Sequence, residues 1–128
     1  MTPELQMLVW SAALALVQMV VAAIGAQGQV GLPALAGNRE ALPPLTSWPG
    51  RAKRAHYNML ESLVVFAIVV LVAHLVGRAN ATTALGAALF FWGRLAYAII
   101  YVAGVPWLRT AVWAVAMAGI VLIFSQLF

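Results

Sequence analysis

The sequence predicts an all-α integral membrane protein: a four-helix bundle whose helices run alternately up and down. Three observations point there. Of 128 residues, 65% are hydrophobic and only 8% charged, where a soluble domain carries about 25% charged residues. The mean hydropathy is +0.99. Four apolar runs each approach the roughly 20 residues needed to cross a bilayer. The whole chain, residues 1–128, reads as one transmembrane domain.

The first run covers residues 4–26. Thr2 can cap it, Pro3 suits its first turn, and Glu4 lies at the positive end of its dipole. It lacks the basic leader region of a secretory signal, so it is expected to be retained. Residues 27–50 then form a long loop broken by Pro33, Pro43, Pro44 and Pro49, too long for an idle turn. The second run covers residues 51–76 and stops at Gly77, a natural C-cap. The third covers residues 81–103 and stops at Gly104; Pro106 opens the fourth, over residues 106–127. The two short connections force the last three helices into antiparallel neighbours. Trp48 and Trp107 fall where interfacial aromatic anchors belong.

Charge sets the orientation. Arg39, Arg51, Lys53, Arg54 and Arg109 share the side of the first and third loops, whereas the opposite side carries only Arg78. Lysine and arginine accumulate in cytoplasmic loops. The long loop is therefore expected in the cytoplasm and both termini across the membrane, with a bacterial inner membrane as the expected location. Composition also excludes chemistry. The chain has no cysteine and two isolated histidines, His56 and His74, which removes thiolate and metal centres. Its net charge of +4 is too sparsely distributed for a nucleic-acid footprint.

Polar residues inside the spans are the functional signal, because a charge in hydrocarbon costs several kcal/mol and is usually paired. Arg51, Arg54, Asn58 and Glu61 follow intervals of 3, 4 and 3 residues and so share one helix face. Arg94, Tyr97 and Tyr101 do the same on the third helix. At about 1.5 Å rise per residue, Glu61 lies about 12 Å and Arg94 about 15 Å below the cytoplasmic interface. A buried Glu61–Arg94 pair is the expected result. Asn58 and the tyrosines would lie above it, with Arg51, Arg54 and Arg109 at the mouth. Such a cleft suits a small anion with amide groups: arginine takes carboxylates bidentately, and Asn58 and Tyr97 satisfy amides. A lipophilic substrate could enter from the bilayer. Plainer roles stand beside these: a topogenic cluster for Arg51 and Lys53, a structural ion pair for Glu61 and Arg94, and packing for Tyr97 and Tyr101.

The segment Arg-Ala-Lys-Arg-Ala-His-Tyr-Asn-Met-Leu-Glu at 51–61 resembles the signature of the MAPEG superfamily, the membrane-associated proteins in eicosanoid and glutathione metabolism. Arg54, Ala55, Asn58 and Glu61 fill its R-A-x-x-N-x-x-E core. Residues 93–104, with Gly93, Arg94, Tyr97, Tyr101 and Gly104, followed by Arg109, resemble the family's third helix and the start of its fourth. The resemblance implies a homotrimer with glutathione as co-substrate, bound between protomers near the cytoplasmic face. It also implies transferase, peroxidase or isomerase chemistry on lipophilic substrates. By matched position, Arg54, Asn58, Glu61, Tyr97 and Tyr101 would contact glutathione and Arg94 would lie beneath it. Arg109 would stabilise the thiolate, with Tyr101 assisting; Arg51 joins the binding set as a basic residue at the mouth. Ser62 stands where the leukotriene-forming synthases carry tyrosine, so fold and site location carry over better than the reaction. A non-enzymatic role, as a proton-coupled exporter or a lipid-binding scaffold, is the alternative; a thiol other than glutathione is a further one.

Overall fold

A computed structural model describes residues 1–128 as five helices: α1 (Pro3–Val30), α2 (Leu32–Ala36), α3 (Ser47–Leu75), α4 (Ala81–Ala103) and α5 (Pro106–Ser125). All but α2 are long and apolar enough to cross a membrane. Local chemistry explains the ends. The Thr2 hydroxyl accepts the Leu5 N–H at 3.3 Å. Asn80 Oδ1 accepts from the N–H groups of Thr82 and Thr83, and Thr83 Oγ1 accepts the Asn80 N–H at 2.7 Å. That reciprocal box holds two donors that a helix start otherwise leaves unpaired. Gly77 and Gly104 take φ of +71° and +87°, the left-handed geometry that closes a helix most easily without a Cβ.

The first loop departs from expectation. α1 continues one turn beyond Ala26, to Val30, and stops only where Gly31 takes φ +83°. α3 starts at Ser47 rather than at Arg51, because Pro49 falls within its first turn, where no intrahelical N–H is required. α2 occupies part of the segment expected to be irregular. Gln29 ties the two ends together: its amide accepts the Thr46 N–H at 3.0 Å and donates to the Thr46 carbonyl at 2.6 Å. Gln29 thereby links the C-terminal end of α1 to the N-terminal end of α3. α5 ends at Ser125, two residues short of expectation.

α4 packs against each of the other three long helices, whereas α1 and α5 do not meet. α1 and α5 therefore flank an α3–α4 centre. The core joins Met59, Phe66 and Val70 of α3 to Ala87 and Phe90 of α4 and to Ala116 and Ile123 of α5. Phe66 and Phe90 stack with centroids 3.9 Å apart. In lipid such contacts gain dispersion rather than hydrophobic transfer, so small residues that let backbones approach matter most. α4 and α5 cross at Gly86 and Gly119: a Cβ built on Gly86 would fall 2.5 Å from the Gly119 carbonyl oxygen.

At the end remote from the first loop, Glu4 is buried and accepts a hydrogen bond from the buried Thr83 hydroxyl. The carboxylate thus joins the N-terminal ends of α1 and α4, where both dipoles favour it. Replacing Thr83 with valine removes its donor. The loss of a charge-assisted hydrogen bond is expected to cost about 2 kcal/mol, read as a lower thermal midpoint by circular dichroism in detergent. Glu4→Gln, whose amide oxygen still accepts, should cost less.

Candidate functional site

Because α3, α4 and α5 run alternately, the N-terminal turns of α3 and α5 lie beside the C-terminal turns of α4. Side chains far apart in sequence meet at that end. Arg51 is half-buried, and its Nε donates to the Val102 carbonyl at 2.9 Å. This satisfies an open carbonyl of the last turn of α4 and places a cation at that helix's negative end. The guanidinium packs beside Gly104, where even an added Cβ would meet it only at ordinary contact distance, 3.6 Å; the glycine is favoured there by its φ of +87°. Arg54 Nε donates to the Tyr101 hydroxyl at 3.2 Å. From the other side, the half-buried Arg109 lays its guanidinium over the Tyr101 ring, 4.3 Å from the centroid. Tyr101 thus carries one arginine on its hydroxyl and another on its face, a cation–π contact that fixes the Arg109 plane. Tyr97 meets Tyr101 edge to face at 5.4 Å.

Beneath them lies Arg94, only 1% exposed. Its Nη1 donates to Asn58 Oδ1 at 2.8 Å, and its Cζ is 4.3 Å from the Tyr97 ring centroid. Its Nε and Nη2 have no partner within the chain. The contact orients Asn58: with Oδ1 committed to Arg94, the NH2 group is free to donate elsewhere.

The expected Glu61–Arg94 pair is not formed, since the one partner of Arg94 is Asn58. Register explains the difference. Contacts of Arg51 with Val102, of Arg54 with Tyr101 and of Asn58 with Arg94 set how the antiparallel helices slide past each other. In that register Glu61 falls about two residues, or about 3 Å, deeper than Arg94. Glu61 is exposed and lines a groove of about 330 Å³ between α3 and α5, together with Asn58 and Ser62. The far wall of this groove, on α5, is apolar: Trp113, Met117, Ile120 and Val121. Of the eight residues singled out in the sequence, six form one connected cluster; Arg51 caps the end of α4 beside it, and Glu61 adjoins it through Asn58 along the groove.

Sequence reasoning missed a second polar concavity, about 630 Å³, beneath the first loop. Arg39, Lys53, His56 and Tyr57 line it together with Pro43 and Pro44. His56 is half-buried there. Only the fold of the loop beside α3 places Arg39 and Lys53 on one concavity; no spacing in the sequence signals it. No group of three histidine or acidic side chains is placed to hold a metal ion.

Searches of the curated proteins and of the solved structures returned no match to the chain. The family model of the MAPEG family matches residues 7–128, a span that includes α3, α4 and α5 whole, α1 apart from its first turn, and every residue of the polar cluster. The chain is therefore a membrane protein of eicosanoid and glutathione metabolism type, and it belongs to the MAPEG family.

Proposed function

We propose that the protein is a membrane-bound, glutathione-dependent enzyme that conjugates or reduces lipophilic electrophiles or hydroperoxides. One observation carries this: a cluster of three arginines, two tyrosines and an asparagine, with Arg51 on the helix end beside it, abuts an apolar groove open to the bilayer, at Asn58 and Glu61. A polar tripeptide and a lipophilic reactant can meet only at such a junction. Arg51 and Arg54 at the mouth take the carboxylates of glutathione. Asn58 donates its NH2 group to a peptide carbonyl, because Arg94 holds its oxygen. Tyr97 and Glu61 complete the polar contacts. Arg109, held against Tyr101, stabilises the thiolate, the nucleophilic form of the thiol.

In conjugation, the sulfur forms a bond to the electrophilic carbon, and the leaving group departs with its electron pair. In hydroperoxide reduction, the sulfur attacks the terminal oxygen and the O–O bond breaks. The alcohol is released, and a second glutathione converts the sulfenic form to the disulfide and water. A homotrimer in a bacterial inner membrane, with the first loop cytoplasmic, completes the proposal. A bare carboxylate facing hydrocarbon is costly, and a neighbouring protomer packed at the Asn58–Glu61 end of the α3–α5 groove would cover Glu61 while leaving the apolar end open to lipid. Millimolar glutathione is expected to raise the thermal midpoint of the detergent-purified protein. Arg54→Ala and Asn58→Ala should abolish that rise; an unchanged rise in both would place the ligand elsewhere.

One observation favours a second reading: Glu61 has no ion-pair partner and is exposed within the span, as a proton-carrying carboxylate would be. Substrate-dependent proton flux in liposomes that disappears in Glu61→Gln would establish a transporter instead. The enzyme is preferred because a transporter gives no role to three arginines converging on one tyrosine hydroxyl, ring and helix end.

A further inference from the structure

A separate groove of about 480 Å³ opens between α1 and α4, on helix faces that carry none of the polar cluster's side chains. Buried alanines make its floor, Ala52 and Ala55 of α3 and Ala98 of α4, and the exposed Val17 and Ile99 form its rims. Ten of its eleven lining residues are hydrophobic; the exception is Gln18. Gln18 is 8% exposed, and its Oε1 is buried with no hydrogen-bond partner. An unpaired buried amide is destabilising, and in a bilayer no bulk water is present to relieve it. The volume lies within the range of about 300–1,000 Å³ that holds a small ligand.

Depth narrows the occupant. Glu4 bonds Thr83 and Gln18 shares the groove with Ala98, so on these parallel helices Gln18 stands about 9 Å in from the Gly104 end of α4, within the hydrocarbon. A lipid headgroup, a phosphate or a fatty-acid carboxylate would have to leave the interface to reach it. A lone water would meet one amide and hydrocarbon elsewhere, short of the two to four partners that retain a buried water. A hydroxyl borne partway along an acyl chain satisfies both surroundings at once. The chain fills the apolar groove, and the hydroxyl donates to the amide oxygen or accepts from its nitrogen, whichever edge the side chain turns outward.

We infer that the α1–α4 groove is a binding site for an acyl chain carrying a mid-chain hydroxyl, with Gln18 as the group that recognises the oxygen. The groove holds no nucleophile, so the site is one of binding and not of turnover. It does not depend on glutathione chemistry in the α3–α5 cleft.

The test uses full-length protein in phosphatidylcholine nanodiscs with a diazirine-bearing stearate as the photoreactive probe. Labelled peptides are located by mass spectrometry, and labelling is competed with stearate or with a mid-chain hydroxystearate. Labelling is expected on residues 14–21 and 95–103. Hydroxystearate should compete about tenfold better than stearate, the factor one net hydrogen bond supplies. Gln18→Leu should make the two competitors equal. Val17→Phe, on an exposed rim where folding tolerates bulk, should remove groove labelling while the thermal midpoint stays as in the wild type. Labelling spread evenly around the helices would overturn the inference. So would a hydroxyl preference that survives Gln18→Leu. Should Gln18→Leu not fold, undiminished groove labelling in Val17→Phe would do the same.

Discussion

Arg109→Ala is expected to lower turnover of glutathione with an electrophile by about 100-fold, the loss typical when one preorganised electrostatic donor is removed from developing or stabilised charge. Binding should change little. Arg51 and Arg54 reach the site from α3, so the glutathione-dependent rise in thermal midpoint should persist in the variant. The separation follows from the geometry: Arg109 approaches from α5 and is held by the Tyr101 ring rather than by the α3 cluster. Arg109→Lys keeps a charge but loses the planar guanidinium that stacks on the ring, and recovery should be partial. Tyr101→Phe retains the ring and removes only the hydroxyl that Arg54 uses. Its cost should therefore fall more on glutathione affinity than on turnover. Steady-state kinetics with glutathione varied at saturating electrophile separates the two effects. Turnover unchanged in Arg109→Ala would remove this residue from the thiolate site.

Gly119→Val is expected to be the most damaging substitution outside the polar cluster. A Cβ at Gly119 would press on the Gly86 carbonyl and come within 2.9 Å of the Phe90 backbone nitrogen. Both obstacles are backbone, which cannot swing aside as a side-chain tip can. Overpacking a tight contact costs about 1–3 kcal/mol and more where backbone must move, so a loss of about 3 kcal/mol is expected here. The damage should extend to function. α4 carries Tyr97 and Tyr101, and α5 carries Arg109, so prising the two helices apart moves Arg109 off its tyrosine. Gly28→Ala is the matched control. A methyl there meets nothing within 4 Å, and alanine is a better helix former than glycine by about 1 kcal/mol. Its thermal midpoint should be unchanged or higher. Equal destabilisation by both substitutions would mean that the α4–α5 crossing is not the tight point it is taken to be.

Much of this architecture is legible in one sequence because hydrocarbon is a severe solvent. Every backbone polar group within it must be satisfied by its own helix, so long apolar runs, Gly77, Gly104 and Pro106 are enough to place the spans. The polar stripes are legible for the same reason, since intervals of three and four residues leave only one face on which Arg54, Asn58 and Glu61 can lie. Pairing across helices is harder. Counting residues in from the interface cannot resolve a shift of about one turn, and that shift decides whether Arg94 meets Glu61 or Asn58. The capping of α4 by Arg51 has a physical signal, a cation close in sequence to a helix start and close in space to an antiparallel helix end. It emerges only once the two helices are aligned. The first loop was the least legible part. The Gln29–Thr46 bonds, and the concavity that Arg39 and Lys53 both line, depend on a loop path that no periodicity encodes. Pro49, taken as a breaker, instead lies in the first turn of α3, because a proline there and a proline in a loop look alike until the helix start is fixed.

The central claim, that the cluster around Tyr101 holds glutathione as its thiolate, is tested most directly by ultraviolet difference absorbance on mixing the protein with glutathione at neutral pH. The expected result is a thiolate band that saturates with glutathione, is absent in Arg54→Ala because nothing binds, and is lost in Arg109→Ala although binding persists. No thiolate band with the wild-type protein, or a band of equal size in Arg109→Ala, would contradict it.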